Sequence, residues 1–363
     1  MTTASEIIRD DGLTVATGWG DPPSSLDSKV VAVSGASGLI GRHVVAVLLG
    51  LSDVYDFPIT VVAMGRNRDR LEVALQPWAG DPRLTIRQKG LSPKMWPTNA
   101  THLVHAASPS APAMFRTDPV GVIEANVDGT AYALRHATAT GASVVLVSTM
   151  EVYGLVPGHD PGIDVNIAES TVGAVDQLDV RSAYPESKRL AETMVVAFSA
   201  EYGVRADIAR LSHTYGPGTA QGDDRVQVEF MMNALAGQKI VLKTVGSMRR
   251  HYTYAADSAS AVVRGLATQH ERSVPQAFNV ADNRLRISIR QLAEHILRAA
   301  NRPTSDIEID IDDHAGHGWS VMPGAVFLDT TKIEELGWRP LFDLPTGLAR
   351  MAAYLAQARG TTG

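Results

Sequence analysis

Tyr184 and Lys188, in the run Y-P-E-S-K, stand one turn apart on the same face of a predicted helix that continues as RLAETMVVAF. An ammonium beside a phenol favours the phenolate, so such a pair can exchange a proton near neutral pH. Alone, the spacing describes a solvated helix pair equally well. Two stretches upstream decide between the readings. Ser143 to Ser148 reads as a strand and runs into Ser148-Thr149-Met150-Glu151, which places two hydroxyls and a carboxylate at the carboxyl edge where open α/β sheets hold ligands. Earlier still, the apolar run Val30 to Val33 is followed by Gly35, Gly38 and Gly41 at G-x-x-G-x-x-G spacing, and an apolar helix starts at once. Gly35 permits the tight turn, Gly38 lets backbone approach a pyrophosphate, and Gly41 lets helix and sheet pack closely, with the helix N-terminus facing the phosphates. A dinucleotide is the ligand this turn suits, and its positive charge would add to the shift at Tyr184.

The elements that must position these groups alternate from Lys29 onward. Ile59 to Met64 is predicted as the second strand and ends in Gly65-Arg66-Asn67-Arg68, where such folds read the adenosine ribose. An acidic residue at that tip would bind the ribose 2′-hydroxyl. Arg66 and Arg68 can instead hold a 2′-phosphate, which leans towards NADP over NAD; stacking on adenine is the alternative. Leu84 to Gln88 and His102 to His105 read as strands three and four, and the small residues from Ala106 leave room for a cofactor beside the strand end. Asn126, on the next helix, can brace the sheet or the cofactor site. Beyond Tyr184, the spacing predicts a helix over Val226 to Ala236 and a strand at Ile240 to Leu242. Ala277 to Val280 is predicted to return to the main sheet, Arg290 to Ala300 to form a helix and Ile307 to Ile311 a short strand. The fold class expected is α/β: a Rossmann-type doubly wound parallel sheet with a smaller, interleaved C-terminal α/β substrate domain. Residues 29–214 form mainly the dinucleotide-binding domain and 215–363 mainly the substrate domain, with parts of about 250–282 returning to the first. Residues 1–28, with Gly18, Gly20, Pro22 and Pro23, read as an irregular, mobile arm.

Composition narrows the class. A chain of 363 residues with 45% hydrophobic content can bury a substantial core, and no apolar run is long enough to span a bilayer. The start MTTASEIIRDDGL has neither a basic leader nor an apolar signal core, so a cytoplasmic location is expected, with no membrane partner. A net charge of −6 argues against a nucleic-acid partner. Cysteine is absent, which excludes disulfides, thiolate metal sites and cysteine nucleophiles. His314 and His317, in Asp-Asp-His-Ala-Gly-His-Gly, read as part of a glycine-rich loop and not as metal ligands.

Taken together, GASGLIG, HAASPSAP, NVDGT, STMEVYG, YPESKRLAE, ARLSHTYGPG, DDRV, GSMRRHYTYAAD and LGWRP resemble the extended short-chain dehydrogenase/reductases of the sugar-nucleotide epimerase, dehydratase and decarboxylase group. The resemblance covers nearly everything after residue 28 and is strongest to UDP-glucuronate decarboxylases. It implies a tightly held NAD(P), contacted by Gly35, Gly38, Leu39, Ile40, Gly41, Arg66, Ala106, Asn126, Tyr184 and Lys188. It further implies oxidation of a nucleotide sugar at C4 by Tyr184, Lys188 and Thr149, followed by decarboxylation or dehydration. A 4-epimerase or an NADPH-dependent 4-ketoreductase is the alternative. Glu151 stands where the dehydratases and decarboxylases carry a glutamate that can act at C5 after the oxidation. His213, Arg225 and Arg250 match positions that meet the nucleotide part of the substrate, and guanidinium forks suit phosphates, with structural salt bridges as the competing reading. Two departures touch substrate recognition: His213 replaces the usual asparagine, and Met322 to Asp329 lacks the arginine that decarboxylases carry near there. The family also implies a homodimer through Gly121 to Ala137 and Pro185 to Tyr202, with Ala133, Ala137, Leu190, Met194 and Ala197 as candidate contacts.

Overall fold

β-Branched residues at Val30, Val31 and Val33 make a strand that is buried on both faces, and the sheet grows outward from it. The computed structural model describes residues 4–156, 164–220, 222–269, 274–311 and 326–360. His314, His317 and Met322 to Ala325 lie outside them. The chain opens with α1 (Ala4–Thr17), β1 (Lys29–Ser34), α2 (Leu39–Tyr55), β2 (Ile59–Gly65), α3 (Arg68–Ala74), β3 (Leu84–Gln88) and β4 (His102–His105). It continues through α4 (Met114–Thr117), α5 (Pro119–Thr140), β5 (Ser143–Thr149), β6 (Val165–Ile167), α6 (Ala183–Tyr202), β7 (Ala206–Leu211) and β8 (His213–Tyr215). After these come α7 (Val226–Leu235), β9 (Ile240–Leu242), β10 (Arg249–Tyr254), α8 (Ala255–Thr268), β11 (Ala277–Val280), β12 (Arg286–Ser288) and α9 (Ile289–Ala299). The last described elements are β13 (Ile307–Ile309), β14 (Val326–Leu328), α10 (Thr331–Glu335) and α11 (Leu344–Gly360).

Seven strands pair in the order β11-β7-β5-β4-β1-β2-β3, all parallel. Chain order reverses between β1 and β4, the crevice where doubly wound sheets bind ligands. One core, holding Val44, Val45, Leu48, Val262 and Leu266, joins α2 and α8 to the sheet; a second holds Leu134, Ala191 and Val195 from α5 and α6. The smaller pairings β12-β10-β8, β13-β9 and β14-β6 involve mostly later segments of the chain.

Two expectations are corrected. Residues 4–17 are not an irregular arm: they form α1, and Ile7, Ile8, Asp11, Val15, Ala16 and Trp19 are buried. The buried positions keep a helical period, but the stripe includes Asp11 and Gly12, residue types that read as turn signals in the bare sequence. Gly12 is there because a Cβ would lie 2.4 Å from the Ala46 carbonyl oxygen of α2, while a Cβ on Gly50 would lie 2.7 Å from the Gly12 oxygen. The Asp11 carboxylate accepts from the Tyr254 hydroxyl at 2.7 Å and pairs with Arg350 at 2.6 Å, tying α1 to β10 and α11. Second, Ala133 and Ala137 are buried within the subunit and cannot contribute to a dimer surface; packing against the sheet claims them.

Candidate active site

The glycine turn, the β5 end and the α6 tyrosine meet in one cleft. Gly38, Leu39, Ile40, Gly41, Ala106, Thr149, Glu151, Tyr184, Lys188, His213 and Arg225 all line it. Gly35 sits behind the lining and shapes it. Its φ of 70° is left-handed, and a Cβ there would lie 2.7 Å from the Ala106 oxygen. A Cβ on Gly41 would come within 2.2 Å of the Gly35 oxygen, so the helix could not approach. α2 begins at Gly38 with no side-chain cap, which leaves first-turn amides to serve an anion in the cleft. Arg42 holds this turn from behind, donating to the Ser37 carbonyl and, through Nε, to the Gly38 carbonyl at 3.2 Å. A pyrophosphate fits such a turn, so the residues present suit a dinucleotide.

Tyr184 is 7% exposed, and it lines the cleft beside Thr149. Burial, and then the Glu151 charge, hold its phenol well above the ordinary value, partly offset by the Thr149 hydrogen bond, Arg225 and Arg181. Lys188 is not among these leading influences. Its ammonium is buried, donates to the Val147 carbonyl at 2.8 Å and is lowered to about 8, by burial and against the pull of Glu192. Glu192 in turn accepts from Ser148 Oγ at 2.6 Å and pairs with Arg210 at 2.6 Å, bracing the end of β5 against α6 and β7.

Other expected residues divide. Asn126 is buried outside the cleft lining and donates to Ser187 Oγ at 2.9 Å, linking α5 to α6. Arg66 is exposed at the tip of β2 without an ion pair among the described residues, whereas Arg68 pairs with Glu72 at 2.7 Å. Arg225 lines the cleft and is forked onto Asp223, so the salt bridge is present in a residue that also faces the cleft. Arg250 donates from Nη1 to His213 Nε2 at 3.2 Å. Burial, then Arg250 and Arg225, keep that imidazole well below its usual value and hence neutral. No group of three or more metal-ligating side chains occurs among the described residues.

Ser108 and Ser110, which sequence reasoning placed among the small residues after the fourth strand without an individual role, also line the cleft, as do Ser212, Thr214 and Gln227, which it missed. A signal existed for the first two, since they follow directly after a predicted strand end. It also missed Arg181, whose Nη1 donates to Glu151 Oε2 at 2.8 Å, and Phe115, whose ring stacks on Tyr184 with centroids 4.3 Å apart.

Residues 31–281 match the NAD dependent epimerase/dehydratase family. UDP-glucuronic acid decarboxylase 5 of Arabidopsis thaliana is 30% identical over 88% of this chain and 87% of its own length. UDP-glucuronic acid decarboxylase 1 of Xenopus tropicalis is 28% identical over 91% of this chain and 73% of its own. Among solved structures, a double mutant of the dTDP-glucose 4,6-dehydratase from Streptomyces venezuelae, with NAD bound, superposes with a TM-score of 0.73. It is 26% identical and covers 91% of this chain and 98% of its own. A UDP-glucose 4-epimerase from Thermotoga maritima, 20% identical, shares the fold with a TM-score of 0.72 over 92% of this chain and all of its own. Glycine turn, Thr-Tyr-Lys constellation, strand order and these likenesses agree: the chain belongs to the NAD-dependent epimerase/dehydratase family.

Proposed function

We propose that the protein oxidises a nucleotide-bound sugar at C4 and then decarboxylates the resulting 4-keto uronate. The observation that carries the reading is the convergence of Thr149, Tyr184 and Lys188 in the cleft that the glycine turn opens into. Gly35, Gly38 and Gly41 with the first turn of α2 would hold the dinucleotide, and Tyr184 and Lys188 its reactive end. When bound, the nicotinamide supplies a hydride acceptor and donor at C4. With the dinucleotide's positive charge drawing the phenol down from its raised resting value, Tyr184 would take the C4 hydroxyl proton, with Thr149 holding the oxygen in place. Once C4 is a ketone, a carboxylate on C5 belongs to a β-keto acid. The bond from C5 to the carboxyl carbon then breaks, carbon dioxide leaves, and the electron pair moves to the C4 oxygen, where Tyr184 and Thr149 stabilise it.

Glu151, next past Thr149 at the β5 end, keeps 4,6-dehydration as a second reading, because a carboxylate there can remove the C5 proton. Met150 occupies the preceding position, so no acid adjoins Glu151 in sequence to expel a C6 hydroxyl. Incubation with a panel of nucleotide sugars, read by product mass, tests the proposal. Loss of carbon dioxide from UDP-glucuronate is expected, and loss of water from a neutral hexose, or isomerisation without mass change, would replace it. Two further points belong to this reading. Arg66 gives NADP a contact at β2 that NAD lacks. Val120 and Ile123 on α5 and Leu190, Val196 and Tyr202 on α6 remain exposed and offer a two-helix face for a second copy, which light scattering would detect as a dimer.

A further inference from the structure

Glu151 lines the cleft, yet its carboxylate is held by Arg181, which comes from the turn just before α6. The guanidinium lies 5.4 Å from the centre of the Phe115 ring, and that ring stacks on Tyr184 with planes 11° apart. An arginine, an aromatic ring and the phenol thus form one stack at the sugar end, and the arginine's charge reaches the phenol itself. Arg250 donates to the neutral His213, which lines the cleft at a position that matches the nucleotide part of the substrate; the remaining cations nearby are committed elsewhere. Arg225 is forked onto Asp223, Arg189 donates to the Val152 and Gly173 carbonyls, and Lys188 to the Val147 carbonyl. Among the described residues, only the Arg181 pair joins a cation to a carboxylate that itself lines the cleft.

We propose that Arg181 is the specificity-determining receptor for an anionic substituent on C5 of the sugar, and that it works by exchanging partners. In the resting protein Glu151 occupies the guanidinium. An incoming sugar carboxylate displaces it, taking the same fork and leaving Glu151 turned towards C5. Arg181 is neutralised before and after the exchange, and the carboxylate left without a cation afterwards is Glu151, whose side chain is the more hydrated of the pair. Side-chain exposures of 19% for Arg181 and 29% for Glu151 leave the pair partly hydrated, the condition under which an ion pair is weak enough to be traded. A neutral hydroxymethyl group cannot drive the exchange, so the pair would discriminate uronates from hexoses. The location matters because the Met322 to Asp329 stretch offers no arginine.

The inference rests on the nucleotide-sugar reading, and the test separates the two. UDP-glucuronate and UDP-glucose are titrated calorimetrically into the full chain loaded with NAD. The wild-type protein should prefer the uronate. Arg181→Met should weaken the uronate about tenfold or more and leave the neutral sugar unchanged, and Arg181→Lys should restore part of the difference. Glu151→Gln removes the resident competitor and should tighten the uronate while leaving the neutral sugar as before. A purely structural Arg181 would move both sugars together. Retention of wild-type discrimination by Arg181→Met, or weaker uronate binding by Glu151→Gln, overturns the exchange. A wild-type protein that binds both sugars equally overturns it while leaving the nucleotide-sugar reading intact, and one that binds neither defeats that reading as well. Circular dichroism confirms that each variant is folded.

Discussion

At the cofactor end of the cleft, the turn from Gly35 to Gly41 is one unbroken stretch, and its constraints are local: a left-handed φ and two backbone approaches that exclude a Cβ. At the sugar end, Glu151 meets Arg181 across 30 residues, His213 meets Arg250 across 37, and Phe115 reaches Tyr184 from another helix. The first kind of site is a backbone shape that few sequences can take, and so it leaves a readable spacing. The second is a set of side-chain pairings between loops, each made by common residue types at no fixed interval. On the function proposed here, the shared cofactor contacts would reside at the legible end and substrate choice at the other.

The comparison breaks most sharply at Tyr184, which belongs to both ends. Tyr184→Phe should lower turnover by about 10²- to 10⁴-fold with little change in melting temperature, because the ring keeps its stack on Phe115 and loses only the proton carrier. Activity within a fewfold of wild type would remove the phenol from the mechanism. Glu151→Gln separates the ends in time. Product formation should fall about a hundredfold, while a single turnover still shows reduced nicotinamide by absorbance, since C4 oxidation requires Tyr184 and not Glu151. Loss of that absorbance change, with the substrate still bound, would place Glu151 in the oxidation step.

Long-range assembly also explains what the sequence concealed in the scaffold. The strands from Lys29 to Thr149 and the helix carrying Tyr184 could be read because their apolar runs are continuous and their turns glycine-marked. α1 could not be, because Asp11 and Gly12 interrupt its apolar stripe, and both are explained only by partners far along the chain: Tyr254 and Arg350 for the carboxylate, Ala46 and Gly50 for the glycine. Arg181 was hidden in the same way, as an ordinary surface-type residue until the fold sets it against Glu151. Removing a buried carboxylate from its partners costs about 3 kcal/mol or more. Asp11→Ala should therefore lower the melting temperature by several degrees, with kcat preserved below the transition. An unchanged melting temperature would mean that α1 is carried by its apolar face alone.

The smallest effect is expected at Arg66, and it sharpens the boundary of what a local motif can specify. A glycine turn suits a pyrophosphate common to both dinucleotides and cannot choose between them; on the reading proposed here, the choice would fall to the tip of β2. Arg66 is exposed there, its carbonyl accepts from Gln88 at 3.2 Å, and no carboxylate stands at the tip to hold a ribose 2′-hydroxyl. A charge-assisted hydrogen bond to an exposed 2′-phosphate contributes about 1.5 kcal/mol, close to tenfold in affinity. Arg66→Ala should weaken NADP by about that factor, measured by fluorescence titration, and leave NAD unchanged. Equal losses for both would show that the guanidinium stacks on adenine, which the two share. No loss for either would show that the neighbouring loop reads neither, and discrimination would then have to come from the side chains that the turn itself presents.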